Sequence, residues 1–161
     1  MASSKSWTLA SAYVAERGMD LSPLLVGDGK DGDVFLTSNL TAAKVHHFSH
    51  SYARELRAYL RLGSLGIHQL AGFSIPNLED FDDRKLVLEM TYVAPPFIVD
   101  FASAHLDVDP GCVFDEGNSL EDLVRERFGE RTDEVMAIHH DLIDLAGIYL
   151  YDLNPYNIKF C

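Results

Sequence analysis

With 161 residues, 47% of them hydrophobic and 24% charged, the chain is long enough for one domain with a real core and too apolar to be disordered. Its 25 acidic against 13 basic side chains give a formal net charge of −12, which argues against a nucleic-acid partner, because phosphate backbones are held by Lys and Arg. No apolar run approaches the roughly 20 residues that span a bilayer, residues 1–7 lack the apolar centre of a signal peptide, and Cys112 and Cys161 alone are no disulfide framework; the expectation is a cytoplasmic protein with no membrane partner.

In chain order, Trp7, Leu9, Ala10, Tyr13 and Val14 recur at helical spacing over residues 6–16, and Gly18 stands where that helix stops. Leu24-Leu25-Val26 is a short apolar run before a glycine-rich turn. Residues 34–37 and 40–45, separated by Ser38-Asn39, read as a hairpin. Residues 49–62 read as a helix capped by Ser49 or Ser51. Two strands are expected at 70–75 and 85–93, with Asp80, Asp82 and Asp83 in the turn between them. Pro95-Pro96 breaks the chain, and residues 97–105 form a short helical or irregular piece before a loop containing Asp107, Asp109, Pro110 and Gly111. A capped helix begins at Ser119, and residues 132–145 form a longer one. This order predicts an α+β fold with a mostly antiparallel sheet. Adjacent His46 and His47 would face opposite sides of a strand, and the seven histidines suggest no metal set.

Five short motifs carry chemistry. Gly27-Asp28-Gly29-Lys30-Asp31-Gly32-Asp33-Val34 matches Gly-x-Gly-x-x-Gly-x-Val, in which glycines let the backbone approach phosphates. Taken alone it reads first as a flexible acidic turn. A strand follows it, not a helix, so the dinucleotide version does not apply, and its aspartates lack the spacing of a calcium loop. Ala42-Ala43-Lys44-Val45 places a lysine on an apolar strand. Arg54-Glu55-Leu56-Arg57-Ala58-Tyr59-Leu60 places a glutamate on the helix after it, where the plain alternative is a surface charge. Leu86-Val87-Leu88-Glu89-Met90 is an apolar strand. Asp152-Leu153-Asn154-Pro155-Tyr156-Asn157 spaces an aspartate and an asparagine five apart.

In this order, from Gly27 to Asn157, the motifs resemble the protein kinase superfamily. The resemblance implies a kinase-like N-lobe, an antiparallel sheet plus one helix, over residues 19–94, preceded by an N-terminal helix over 1–18 and followed by a truncated helical C-lobe over 95–161. It implies a site for ATP and Mg²⁺. Gly27, Gly29, Gly32 and Val34 would cover the nucleotide, Lys44 would hold its α- and β-phosphates and pair with Glu55, and Leu88 or Met90 would stand as gatekeeper. Asp152 would be the catalytic base and Asn157 a metal ligand.

The departures set the functional expectation. Leu150-Tyr151 replaces His-Arg before the catalytic aspartate, Asn154 replaces a lysine, and no Asp-Phe-Gly follows the loop. Asp28, Asp31 and Asp33 outweigh Lys30 in the glycine loop. The interval from Lys44 to Glu55 is short, so the pair forms only if the helix starts directly after the strand. The expectation is a truncated pseudokinase, a binding or regulatory module with weak or no ATP binding and no transfer to generic protein substrates. The alternatives are a minimal ATP-dependent phosphotransferase acting on a protein or small-molecule hydroxyl with Asp152 as base, an N-terminal fragment of a full kinase, and an unrelated α+β binding protein. Val135, Met136, Ile138, Leu142, Ile143, Leu145, Ile148 and Tyr149 make the helix before the loop strongly apolar, and a homodimer or protein partner is expected there, with the N-terminal helix as the alternative cover.

Overall fold

The computed structural model describes residues 4–111 and 118–161; Cys112 lies outside them. The elements run α1 (Ser4–Ala15), β1 (Leu21–Asp28), β2 (Gly32–Thr37), β3 (Thr41–His46), α2 (Ser49–Ser64), β4 (Gln69–Leu70), β5 (Phe73–Ser74), β6 (Leu78–Asp82), β7 (Val87–Thr91), β8 (Phe97–Ile98), β9 (His105–Leu106), α3 (Leu120–Phe128), α4 (Thr132–Ala146), β10 (Ile148–Tyr149) and β11 (Ile158–Lys159). The fold is α+β. Its main sheet has the order β1-β2-β3-β7-β6, with every pair antiparallel.

Strand alternation gives this sheet two buried faces. Phe35, Ala43, Val45 and Val87 pack against Ala10, Tyr13 and Val14 of α1. The helix is pinned there by the Tyr13 hydroxyl, which donates to Glu89 at 2.9 Å, and by Arg17, which lies over the Tyr13 ring and reaches Asp80 at 2.6 Å. The other face carries Val34, Lys44 and Leu88, in register across β2, β3 and β7. It meets α2, whose Ser51, Tyr52, Glu55, Ala58, Tyr59 and Leu62 are buried at helical spacing.

Several expected elements change form. Neither Ser49 nor Ser51 caps α2. Phe48 holds the cap position without a side-chain bond, and the Ser51 hydroxyl donates back to its carbonyl. Residues 70–75 are not one strand but the tight hairpin β4–β5, turned through Ala71 and Gly72 at φ +49° and +85°. Asp80 and Asp82 lie in β6 itself, and the turn follows at residues 83–86. An edge strand directs acidic side chains to water, so acidity does not mark a turn there. Of the two expected forms of residues 97–105 the irregular one is found: a turn with Asp100 at φ +68° lies between β8, which pairs antiparallel with β11 and parallel with β5, and β9, which pairs with β10.

The Ser119 capping box is present, with the hydroxyl accepting from Asp122 N–H and the Asp122 carboxylate accepting in return. On α4, Val135, Ile138 and Leu142 are fully buried, and Ile148 with them. Their cover is α3, the small sheet and the body of the larger core, which includes Val124, Ile98 and Phe101. One face of the apolar stretch over residues 132–151 is thus covered inside the chain by α3, the short strands and the larger core, while Met136, Ile143 and Tyr149 are only partly buried. Leu145 is the large apolar side chain of that stretch left mostly exposed. Among the described residues no helix is long and apolar enough to cross a membrane.

Candidate functional site

The glycine-rich turn is the β1–β2 hairpin, closed by Gly29 N–H donating to the Gly32 carbonyl at 3.0 Å. Val34 faces Lys44 across the ladder. Asp33 is on the opposite face, buried, and bonded to His47 at 3.1 Å, and its cross-strand neighbour Asp28 shares that face. Two of the three acids expected to oppose a phosphate are thus turned away from Lys44. Gly32 has a steric reason of its own: a Cβ there would lie 2.5 Å from the Val45 carbonyl oxygen, whereas Gly27 and Gly29 would meet nothing nearer than 4.0 and 3.7 Å. Gly32→Ala is expected to cost about 1–3 kcal/mol in urea unfolding by overpacking, with Gly27→Ala and Gly29→Ala within about 0.5–1 kcal/mol of wild type. Equal costs at the three positions would contradict this steric reading.

Only His47 and Phe48 separate β3 from α2, so the helix does start directly after the strand. Lys44 and His46 alternate onto the face that Glu55 reaches from the second turn of α2. Lys44 Nζ lies 2.6 Å from Glu55 Oε2 and 3.1 Å from Asp100 Oδ1. His46 Nε2 lies 2.7 Å from the same Glu55 oxygen. Glu55 Oε1 is buried without a hydrogen-bond partner. Burial disfavours both charges, but each partner outweighs it: Lys44 is raised by Glu55 and Asp100, and Glu55 is held well below the carboxylate range by Lys44 and His46.

The loop of Asp152 to Asn157 is built from its own side chains. The Asn154 amide donates to Asp152 Oδ1 at 3.0 Å and its oxygen accepts from Tyr156 and Asn157 N–H. The buried Asn157 amide donates to the Asp152 carbonyl at 3.1 Å, which leaves its own oxygen free for another ligand. Asp152 itself is exposed. Arg127 of α3 donates to the Leu153 carbonyl at 2.6 Å and stands 3.7 Å from Asp152. Upstream of the loop, His139 Nδ1 meets the Leu150 carbonyl at 2.9 Å; burial lowers the pKa of this histidine, so it donates as the neutral ring.

The β8–β11 pair joins this loop to Lys44. Val99 N–H donates to the Asn157 carbonyl at 2.8 Å, and the next residue, Asp100, turns at φ +68° to present its carboxylate to Lys44. Asp100 was missed in the sequence because the second acidic residue was sought only after Asn157. The signal was present: Phe97-Ile98-Val99-Asp100-Phe101-Ala102 is an apolar strand followed by Asp-Phe and a small residue. It precedes the loop in the chain and lies beside it in space. His46 and Arg127 were also missed. His46 enters the sequence reading only as one of a histidine pair with no metal set, and no motif in the sequence marks Arg127.

The structure thus brings Lys44, Glu55 and Asp100 into direct contact and sets Asn157 one strand pairing away, with Asp152 bonded to Asn157 through its carbonyl. Among the described residues no group of three or more His, Cys, Asp or Glu side chains gathers as a metal cage. No family model matches the chain, and no curated protein matches it.

Proposed function

We propose that this chain is a kinase-like nucleotide-binding domain whose site is of the metal-dependent phosphotransferase type. The observation that carries the reading is Lys44, held between Glu55 and Asp100 at 2.6 and 3.1 Å, with Asp100 delivered by the strand that pairs beside Asn157. On this reading Asp100 is the acidic residue that would hold the metal beside Lys44. Lys44, on the face of Val34, receives the phosphates beneath the glycine turn.

The residues fit Mg²⁺. This ion is ordinarily held by one or two side-chain oxygens together with substrate phosphates, not by an all-protein cage. The part-exposed Asp100 carboxylate and the free oxygen of Asn157 are such a pair. When bound, the ion would neutralise charge on the phosphates. Asp152, held by Asn154, is placed to accept a proton from a hydroxyl, and the glycine turn and Lys44 orient the nucleotide.

A second reading is a nucleotide-binding module without transfer. It draws on Arg127, whose guanidinium 3.7 Å from Asp152 competes for the carboxylate that must take the proton. Binding of labelled ATP with and without Mg²⁺ separates the two. Metal-dependent binding with slow transfer to water or an added hydroxyl is the expected result. Metal-independent binding without turnover favours the module. No binding in either condition overturns both.

A further inference from the structure

Glu55 holds Lys44 with one carboxylate oxygen, and that same oxygen is already bonded to His46. The imidazole of His46 is fully buried. Its Nε2 faces Glu55 Oε2 at 2.7 Å, and its Nδ1 faces the Leu86 carbonyl at 3.3 Å. Both neighbours are acceptors. A neutral ring has one N–H and can satisfy only one of them, whereas a doubly protonated ring donates to both. The other groups around it do not compensate. From α2, Tyr52 presents its ring edge-on at 5.5 Å and directs its hydroxyl away to Asp83. From β2, the cross-strand neighbour is Gly32, which has no side chain. From β3, Lys44 shares the Glu55 oxygen, and Asp100 lies beyond it.

We propose that His46 is a positioning residue for the nucleotide site: it anchors Glu55 independently of Lys44, so that Lys44 can turn to phosphate without releasing the helix. The inference rests on the nucleotide-binding reading above. The shared oxygen explains the role. An N–H on His46 Nε2 donates to Glu55 Oε2, so the carboxylate stays fixed to β3 when the Lys44 ammonium moves toward a phosphate.

The test is the affinity of ADP for the whole chain in wild type, His46→Gln and His46→Leu. Circular dichroism and thermal melting establish that each variant is folded. His46→Leu is expected to bind roughly tenfold more weakly, because Glu55 then loses one of its two donors. His46→Gln keeps an N–H donor for Glu55 and is expected to recover most of that loss. Nitrogen NMR of the wild-type ring supplies a readout that does not depend on ligand, and should show a proton on Nε2 bonded to Glu55. A folded His46→Leu that binds ADP as wild type does, or a His46→Gln that loses affinity without recovery, overturns this proposal and leaves the nucleotide site standing. A wild type that binds no ADP overturns both together.

Discussion

Glu55→Ala is expected to destabilise the fold by about 3–5 kcal/mol, the range for removing one partner of a buried ion pair. The residue has no solvent exposure, and its loss strands two donors, Lys44 and His46, at once. Lys44→Met should cost less, because Glu55 keeps His46 and the half-exposed Asp100 can turn to water. The double variant Lys44→Met/Glu55→Leu should recover only part of the loss, since apolar replacement of the pair is close to neutral but His46 and Asp100 are left without their partners. Urea unfolding of the three variants measures this order. A cost for Glu55→Ala below about 1 kcal/mol, as for a surface pair, would contradict it. The same group sets an acid limb. Its folded-state pKa is depressed from 4.5 to about 2, so its contribution is complete above the unfolded value and is lost as pH falls through the folded one. Wild type should lose about 3 kcal/mol between about pH 4.5 and about pH 2 through this group, and Glu55→Gln should lack that segment of the profile.

What was legible in the sequence follows from how local its cause is. The Lys44–Glu55 pair could be read because strand alternation and helical spacing each fix a face, and two residues of linker leave one way to connect them. The Ser119 cap and the Gly18 stop are local chemistry and appear as expected. The sheet's hairpins were legible for the same reason. The two-residue strands were not, because so short a strand has no periodicity, and β8 and β9 are defined by partners in other parts of the chain, β8 by β5 and β11 and β9 by β10. The contact of Asp100 with Lys44 was not legible, because it depends on the pairing of β8 with β11, which brings residues far apart in the chain to one place. How much of α4 the chain covers for itself was not legible for a related reason: part of its cover comes from these same short strands. The acidity of the glycine turn was legible as a charge count but not as a direction, and the register that turns Asp33 and Asp28 off the Lys44 face is set by pairing.

Asp100→Asn is the substitution that divides the functional readings most sharply. It is close to isosteric, and asparagine tolerates the positive φ at this position as well as aspartate does. Its side-chain oxygen can still accept from Ala102 N–H, a bond of 3.2 Å in the wild type. Stability should therefore change by no more than about 1 kcal/mol. The charge, however, is removed from between Lys44 and the space beside Asn157. If Asp100 holds Mg²⁺, affinity for Mg²⁺-ATP should fall roughly 100-fold, as expected when a hard cation loses its anionic ligand. Affinity for ATP in the presence of chelator should move the other way and tighten severalfold, because one negative charge leaves the neighbourhood of the phosphates. Asp152→Asn should leave both affinities unchanged and remove transfer alone. Isothermal titration of the two variants with and without Mg²⁺ reads all of this. The opposed signs matter because a structural role for Asp100 would weaken binding in both conditions alike. A parallel loss with and without metal would therefore assign Asp100 to the support of Lys44 and withdraw it from the metal site.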